Sequence, residues 1–219
     1  MAKSIQLKHG FSVEDFPKAK DIWLAKGDLF LYEGDVHKGN CFLILEGTLD
    51  IRLISGNGHE TLLYHLKPGE LVGELAMFGV SARTATIIAR EKTKLLEISA
   101  VTFSELIKDY DFLQKVTDLF IHRYLRTHDV VCRLGQPNIG AKLCRYFKTL
   151  IDQHESTENV VKVKLPSHTE LGKLLSCQRE TITREIKKLV NLGVLTLDAG
   201  SVYAIDHEKM ELLLADMLD

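Results

Sequence analysis

Residues 167–191 read SHTELGKLLSCQRETITREIKKLVN, and this stretch decides the fold of the C-terminal part of the chain. Ser167 and Glu170 make a capping-box pattern, in which each side chain meets the other's exposed backbone donor, so a helix opens there. Leu171, Leu174 and Leu175 share one face of that helix. Ser176-Cys177 forms a turn. A second helix is predicted from Gln178 to about Asn191, with Ile182, Ile186 and Leu189 inward, and Gly193 ends it. Two strand-like runs, Val194 to Leu197 and Val202 to Ile205, flank Asp198-Ala199-Gly200 as a hairpin. Two short helices, a tight turn and a hairpin wing make a winged helix-turn-helix.

The outer face of the second helix carries Gln178, Arg179, Thr181, Thr183, Arg184, Lys187 and Lys188. Between Lys173 and Lys188 there are five basic and two acidic residues, while the whole chain has a net charge of −2. A charge run is ordinarily just a solvated face, but here the local surplus sits on the helix that enters the major groove in this motif. Arg179, Glu180 and Arg184 lie in its first two turns. Arginine can donate twice to guanine, and glutamate can accept from cytosine N4. The predicted DNA-binding set is Ser167, His168, Gln178, Arg179, Glu180, Thr183, Arg184, Lys187 and Lys188, with double-stranded DNA as partner.

Upstream the pattern changes. From Gly27 to about Ile98, short apolar runs (Leu29 to Tyr32, Cys41 to Leu45, Thr48 to Ile54, Thr61 to Leu66, Thr84 to Ala89, Lys94 to Ile98) alternate with turn residues, as in an antiparallel sandwich or barrel. Asn57-Gly58 is a hairpin signal. Ser99 caps a short helix carrying Phe103, Leu106 and Ile107. A longer helix follows from about Phe112 to Leu134, without glycine or proline. Its stripe of Leu113, Val116, Phe120, Thr127, Val131 and Leu134, with Tyr124 in the middle, approximates a coiled-coil seam, to be covered by the barrel and by a second copy of the chain. Gly135-Gln136-Pro137-Asn138 breaks that helix and caps the next, from Ile139 to about His154. A polar loop, Glu155 to Asn159, and a strand-like Val160 to Leu165 lead into the winged part. The fold class is therefore α+β, with a sensor at 1–111, a dimerisation helix and hinge at 112–137, and a DNA-binding domain at 138–219.

The composition of the 219 residues, 45% hydrophobic and 26% charged, is that of an ordinary globular protein. No apolar run approaches the roughly 18 residues a membrane span needs, and Met1-Ala2-Lys3-Ser4-Ile5 lacks the apolar core of a secretory signal. A cytoplasmic location and no membrane partner are expected. Four scattered cysteines without a Cys-x-x-Cys pair argue against a disulfide framework or a zinc site. No nucleophile-base arrangement stands out, so no catalytic residue, metal or required cofactor is assigned.

Gly69-Glu70-Leu71-Val72-Gly73-Glu74-Leu75-Ala76 leads through a loop to Ala82-Arg83-Thr84-Ala85-Thr86. Here a turn with free N–H groups, a carboxylate, an arginine and a hydroxyl stand close in sequence, a set that suits a phosphate and a sugar hydroxyl. Alone, such a Glu and Arg more often form a structural ion pair. Gly73 to Ala76 with Arg83-Thr84-Ala85 resembles the phosphate-binding cassette of cyclic-nucleotide-binding domains. Cys177-Gln178-Arg179-Glu180-Thr181 with Arg184 resembles the recognition helix of the cyclic AMP receptor protein and fumarate-nitrate reduction regulator (CRP/FNR) family. The chain is identified as a member of that family from about Asp21 to Asp206.

The resemblance implies a jelly-roll nucleotide-binding barrel, a dimerising helix and a homodimeric, effector-controlled transcription regulator. Glu74 would hold a ribose hydroxyl, Arg83 and Thr84 the cyclic phosphate of cyclic AMP, backbone at Gly73 and Leu75 the site wall, and Thr127 with His128 the base. Arg179, Glu180 and Arg184 would read a TGTGA-like half-site of a palindromic operator, and an activator would also contact RNA polymerase. Ala82 replaces a usual proline, Gln178 a usual serine, and Ser176 a turn glycine, which predicts strain at that residue. Two alternatives stand beside this reading. One is the same architecture sensing haem, nitric oxide, redox state or another metabolite, with His122 and His128 the histidines of interest. The other is a nucleotide-binding module that controls a protein partner.

Overall fold

The computed structural model describes residues 10–16, 19–36, 39–56, 58, 60–153 and 159–217. Asn57 of the expected hairpin turn, His154 and residues 155–158 of the expected loop lie outside them. The chain divides into two compact units, residues 6–126 and, apart from the first few residues, 127–219.

The first unit contains β1 (Lys20–Leu24), β2 (Leu29–Leu31), β3 (Asn40–Glu46), β4 (Leu49–Ile54), β5 (Glu60–Leu66), β6 (Leu71–Val72), β7 (Thr86–Ala89), β8 (Thr93–Ser99) and α1 (Ala100–Leu106). It also holds most of α2 (Tyr110–Leu134). Two antiparallel sheets form, ordered β1-β8-β3-β6 and β2-β7-β4-β5. Strand β3 shows how they are used. Phe42 and Ile44 join Leu49, Ile51, Leu66 and Ile87 in a core shared by both sheets. Their alternates, Cys41 and Leu43, join Phe103, Phe112, Val116 and Leu119 in a second core under the helices. Side chains alternate faces along a strand, so burial on both faces makes β3 read as an unbroken apolar run.

The expected strands are present to within a residue or two, except that Thr84 and Ala85 lie in a bend before β7. Strands β1 and β6 were not foreseen. Ser99 caps α1, its Oγ accepting from the Thr102 N–H at 3.2 Å. Asp109 Oδ1 accepts from the Phe112 N–H at 2.9 Å, so α2 begins at Tyr110, two residues earlier than its apolar pattern.

The expected seam of α2 is corrected by burial. Val116 is 1% exposed in the barrel core, and the Phe120 ring packs 5.2 Å from that of Phe78. Both belong to the face that α2 turns to the sheets. Leu113, Ile121, Tyr124 and Val131 remain exposed, Tyr124 by 68%.

The second unit holds α3 (Ile139–Gln153), β9 (Val160–Lys164), α4 (His168–Leu175), α5 (Arg179–Asn191), β10 (Leu195–Ala199), β11 (Val202–Asp206) and α6 (His207–Asp216). Asn138 Oδ1 accepts from the Ala141 N–H at 2.9 Å and so caps α3. The wing hairpin gains β9 as a third strand, in the order β10-β11-β9. Helix α6, capped by Asp206 through the Lys209 N–H at 3.1 Å, was not anticipated. No helix among the described residues is long and apolar enough to cross a membrane.

Candidate effector cradle and DNA-binding face

The cradle begins at Gly73, which takes φ +74°. A β-carbon there would lie 2.6 Å from Arg83 Nη1, so a side chain at this position would be strained by its backbone and would push the end of Arg83 aside. Glu74 opens a single 3-10 turn, Glu74–Phe78. The backbone of Arg83 is tied to the turn before β3: its N–H donates to Asp35 O at 2.9 Å and its carbonyl accepts from the Gly34 N–H at 2.8 Å.

The Arg83 guanidinium donates to the carbonyls of Gly73 and Asn40, both at 3.2 Å. Burial pulls its pKa below the usual arginine value, with Cys41 and Glu74 opposing. No carboxylate pairs with it among the described residues, so this half-buried cation is met only by neutral acceptors. Burial, with the Glu74 charge adding, pushes the Cys41 thiol beneath up to about 12, which keeps it protonated and inert.

Glu74 is 1% exposed. Its Oε1 accepts from Arg123 Nη1, and Arg123 Nη2 also donates to Leu71 O. Its Oε2 is buried with no hydrogen-bond partner. A buried carboxylate oxygen left unmet costs about 1–3 kcal/mol or more. One turn on, Arg126 donates to Glu70 Oε1 at 3.1 Å and to His65 O, and stacks 4.2 Å from the Tyr64 ring centre. These two arginines fasten α2 to the barrel.

Gly73, Glu74 and Arg83 are thus brought together. Leu75 is half-buried beside them and Thr84 is exposed. Thr127 and His128 are both exposed on α2 and fall in the second unit. The sequence reading missed Arg123 and Asn40. Arg123 lies four residues before Thr127, on the same side of the helix, and that spacing was the available signal.

On the DNA face, Ser167 Oγ accepts from the Glu170 N–H at 3.2 Å and starts α4. The Cys177 N–H donates to Gly172 O at 2.9 Å. A β-carbon on Gly172 would lie 2.7 Å from Cys177 O, so the two helices close only over glycine. Ser176 adopts φ 53°, ψ 51°, the left-handed conformation expected from its place in the turn. Leu171, Leu174, Leu175, Ile182, Ile186 and Leu189 are buried between and beneath the helices. Gln178, Arg179, Glu180, Arg184, Lys187 and Lys188 are exposed. Lys188 is held by Glu185 at 2.8 Å, whereas Arg179 and Lys187 make no ion pair among the described residues. His168 and Thr183 are half-buried and joined, Nδ1 to Oγ1, at 2.8 Å.

The cyclic nucleotide-binding domain family matches residues 21–110, and the Crp-like helix-turn-helix domain family matches residues 141–213. A cyclic AMP receptor protein of Thermus thermophilus is 24% identical over 218 residues, covering 95% of this chain and 96% of that protein. The chain belongs to the CRP/FNR family of transcription regulators. A second member, the cAMP-activated global transcriptional regulator Vfr of Pseudomonas aeruginosa, is 25% identical over 172 residues, 75% of this chain and 79% of its own. The fold is also that of a CooA variant from Carboxydothermus hydrogenoformans, with a TM-score of 0.77 at 15% identity over 97% of this chain and all of that one. As a CRP/FNR regulator the chain is a DNA-binding protein and not an enzyme.

Proposed function

We propose that this regulator is a homodimer switched by a small effector in the barrel, with cyclic AMP the best fit. One observation carries the reading: the unmet Oε2 of buried Glu74 stands on the same short turn that Arg83 clasps through Gly73 O. An acceptor awaiting a hydroxyl, beside a cation met only by carbonyls, is complementary to a ribose hydroxyl and a cyclic phosphate. Gly73 and Leu75 backbone and the Thr84 hydroxyl complete the phosphate side, and the family resemblance alone assigns the base to Thr127 with His128. The names of the relatives support a cyclic nucleotide.

The exposed stripe of α2 is the dimer surface in this reading, and residues 135–137 the hinge between sensor and DNA-binding domain. A two-fold dimer reads a palindrome with half-sites about one helical turn apart, here TGTGA-like, through Arg179, Glu180 and Arg184. The setting is the cytoplasm, with RNA polymerase the further partner where the regulator activates. The effector shifts the dimer between two arrangements of its DNA-binding domains.

Calorimetric titration with cyclic AMP and cyclic GMP tests the cradle. Micromolar binding of one nucleotide, lost in Arg83→Ala, is the expected result. Normal binding by Arg83→Ala overturns the site, and no binding of either nucleotide moves the effector to another class.

A further inference from the structure

We propose that His168 contacts a DNA phosphate through Nε2, with Thr183 as the residue that sets its orientation and tautomer. The inference rests on the DNA-binding reading of α4 and α5. The Thr183 hydroxyl lies 3.0 Å from the Arg179 carbonyl and 2.8 Å from His168 Nδ1. A carbonyl only accepts, so the single hydroxyl proton goes to Arg179 O. Thr183 Oγ1 must then accept from His168, and Nδ1 carries the proton. Thr183 therefore has no proton left for DNA. It is a positioning residue, although it stands on the recognition helix.

With Nδ1 committed as donor, the chemistry of the ring passes to Nε2, which makes no hydrogen bond among the described residues. In the neutral ring Nε2 only accepts, and a phosphate oxygen offers it nothing. In the charged ring Nε2–H donates, and the bond to phosphate is charge-assisted. His168 is the first residue of α4, and the first helix of this motif crosses the sugar-phosphate backbone. Binding the phosphate favours the protonated ring, so DNA binding takes up a proton and weakens as pH rises through the histidine range. The charged groups within a turn of either partner are Glu170 on α4 and Arg179, Glu180, Arg184 and Lys187 on α5, with Glu185 taken up by Lys188. Helix α3, also packed on α4, adds Lys142. All are common to every variant below, so they cancel in the comparison.

A phosphate contact is independent of sequence, so the probe is a labelled duplex of mixed sequence at low salt, with affinity of the full chain read by fluorescence anisotropy. Between about pH 6 and pH 8 the wild-type chain should lose roughly tenfold more affinity than His168→Gln. His168→Arg, permanently charged, should keep the low-pH affinity at both values. Thr183→Val should shrink the pH step, and should change nothing further once His168→Gln is present. Equal pH steps in wild type and His168→Gln overturn the inference, as do independent, additive effects of His168→Gln and Thr183→Val. If the wild-type chain binds no duplex at either pH, the DNA reading itself fails and takes this inference with it.

Discussion

Asp50 is 2% exposed on β4, opposite His65 on β5. Burial alone would raise its carboxyl pKa, but hydrogen bonds from His65 at 2.8 Å and Arg52 at 2.5 Å outweigh that and hold it at about 2. An unfolded aspartate titrates near 3.9. The folded value is the lower one, so the carboxylate stabilises the fold above about pH 4, and that contribution fades as pH falls towards about 2. It is worth about 2 kcal/mol at neutral pH. Asp50→Asn should therefore lower stability near neutrality, with the gap to wild type closing in acid. Urea unfolding across that range is the check, and a gap independent of pH would refute the assignment. Ser176 offers the opposite case. Its φ of 53° is the only positive value among the described residues other than glycine, and Ser176→Gly should raise stability by up to about 1 kcal/mol. A lower unfolding midpoint would mean that the serine's own contacts outweigh the strain.

Helix α2 works on two faces. Leu119 is fully buried and Ile121 is 52% exposed, so two neighbouring positions separate the two roles. Leu119→Ala should cost about 2–5 kcal/mol in unfolding without changing the oligomeric state. Ile121→Glu should leave the barrel intact yet yield monomers in analytical ultracentrifugation, with weaker DNA binding. A dimeric Ile121→Glu chain would place the interface elsewhere. The period of α2 was legible in the sequence, but the division of its faces was not: Val116 and Ile121 are both apolar and β-branched, and only the position of the sheets tells them apart. Strand β6 escaped because two residues carry no period. Helix α6 escaped because its consecutive Leu212, Leu213 and Leu214 make a run with no helical period, although Asp206 offers an N-cap signal.

For the whole molecule, the order of parts was plain from short-range chemistry: turn residues between apolar runs, an uninterrupted helical stripe, and the Ser167 cap with its following turn. The heart of the cradle was less so. Glu74 and Arg83 were found by motif, whereas Arg123 comes from a helix 49 residues away, a pairing that no local pattern encodes. Coupling between cradle and DNA gives a test at this scale. Binding linkage is reciprocal, so with cyclic AMP and a TGTGA-like duplex as the proposed ligands, the factor by which the nucleotide tightens the duplex must equal the factor by which the duplex tightens the nucleotide, typically about 5–150-fold. Calorimetry with and without duplex measures one and anisotropy the other. Equal affinities with and without the partner would mean that the sites do not communicate.

The approach of Gly73 to Arg83 carries a message for sequence comparison. A β-carbon at 73 would lie 2.6 Å from Nη1 of the guanidinium on a backbone of φ +74°, so a side chain there both strains the turn and displaces the arginine. Among related chains, those that keep arginine at 83 should also keep glycine at 73, while the φ of +74° can retain the glycine even where the arginine is lost. A chain that keeps the arginine but places a side chain at 73 must hold its guanidinium elsewhere. Such chains can be sorted from those that build this clasp by inspecting two letters, before any protein is made.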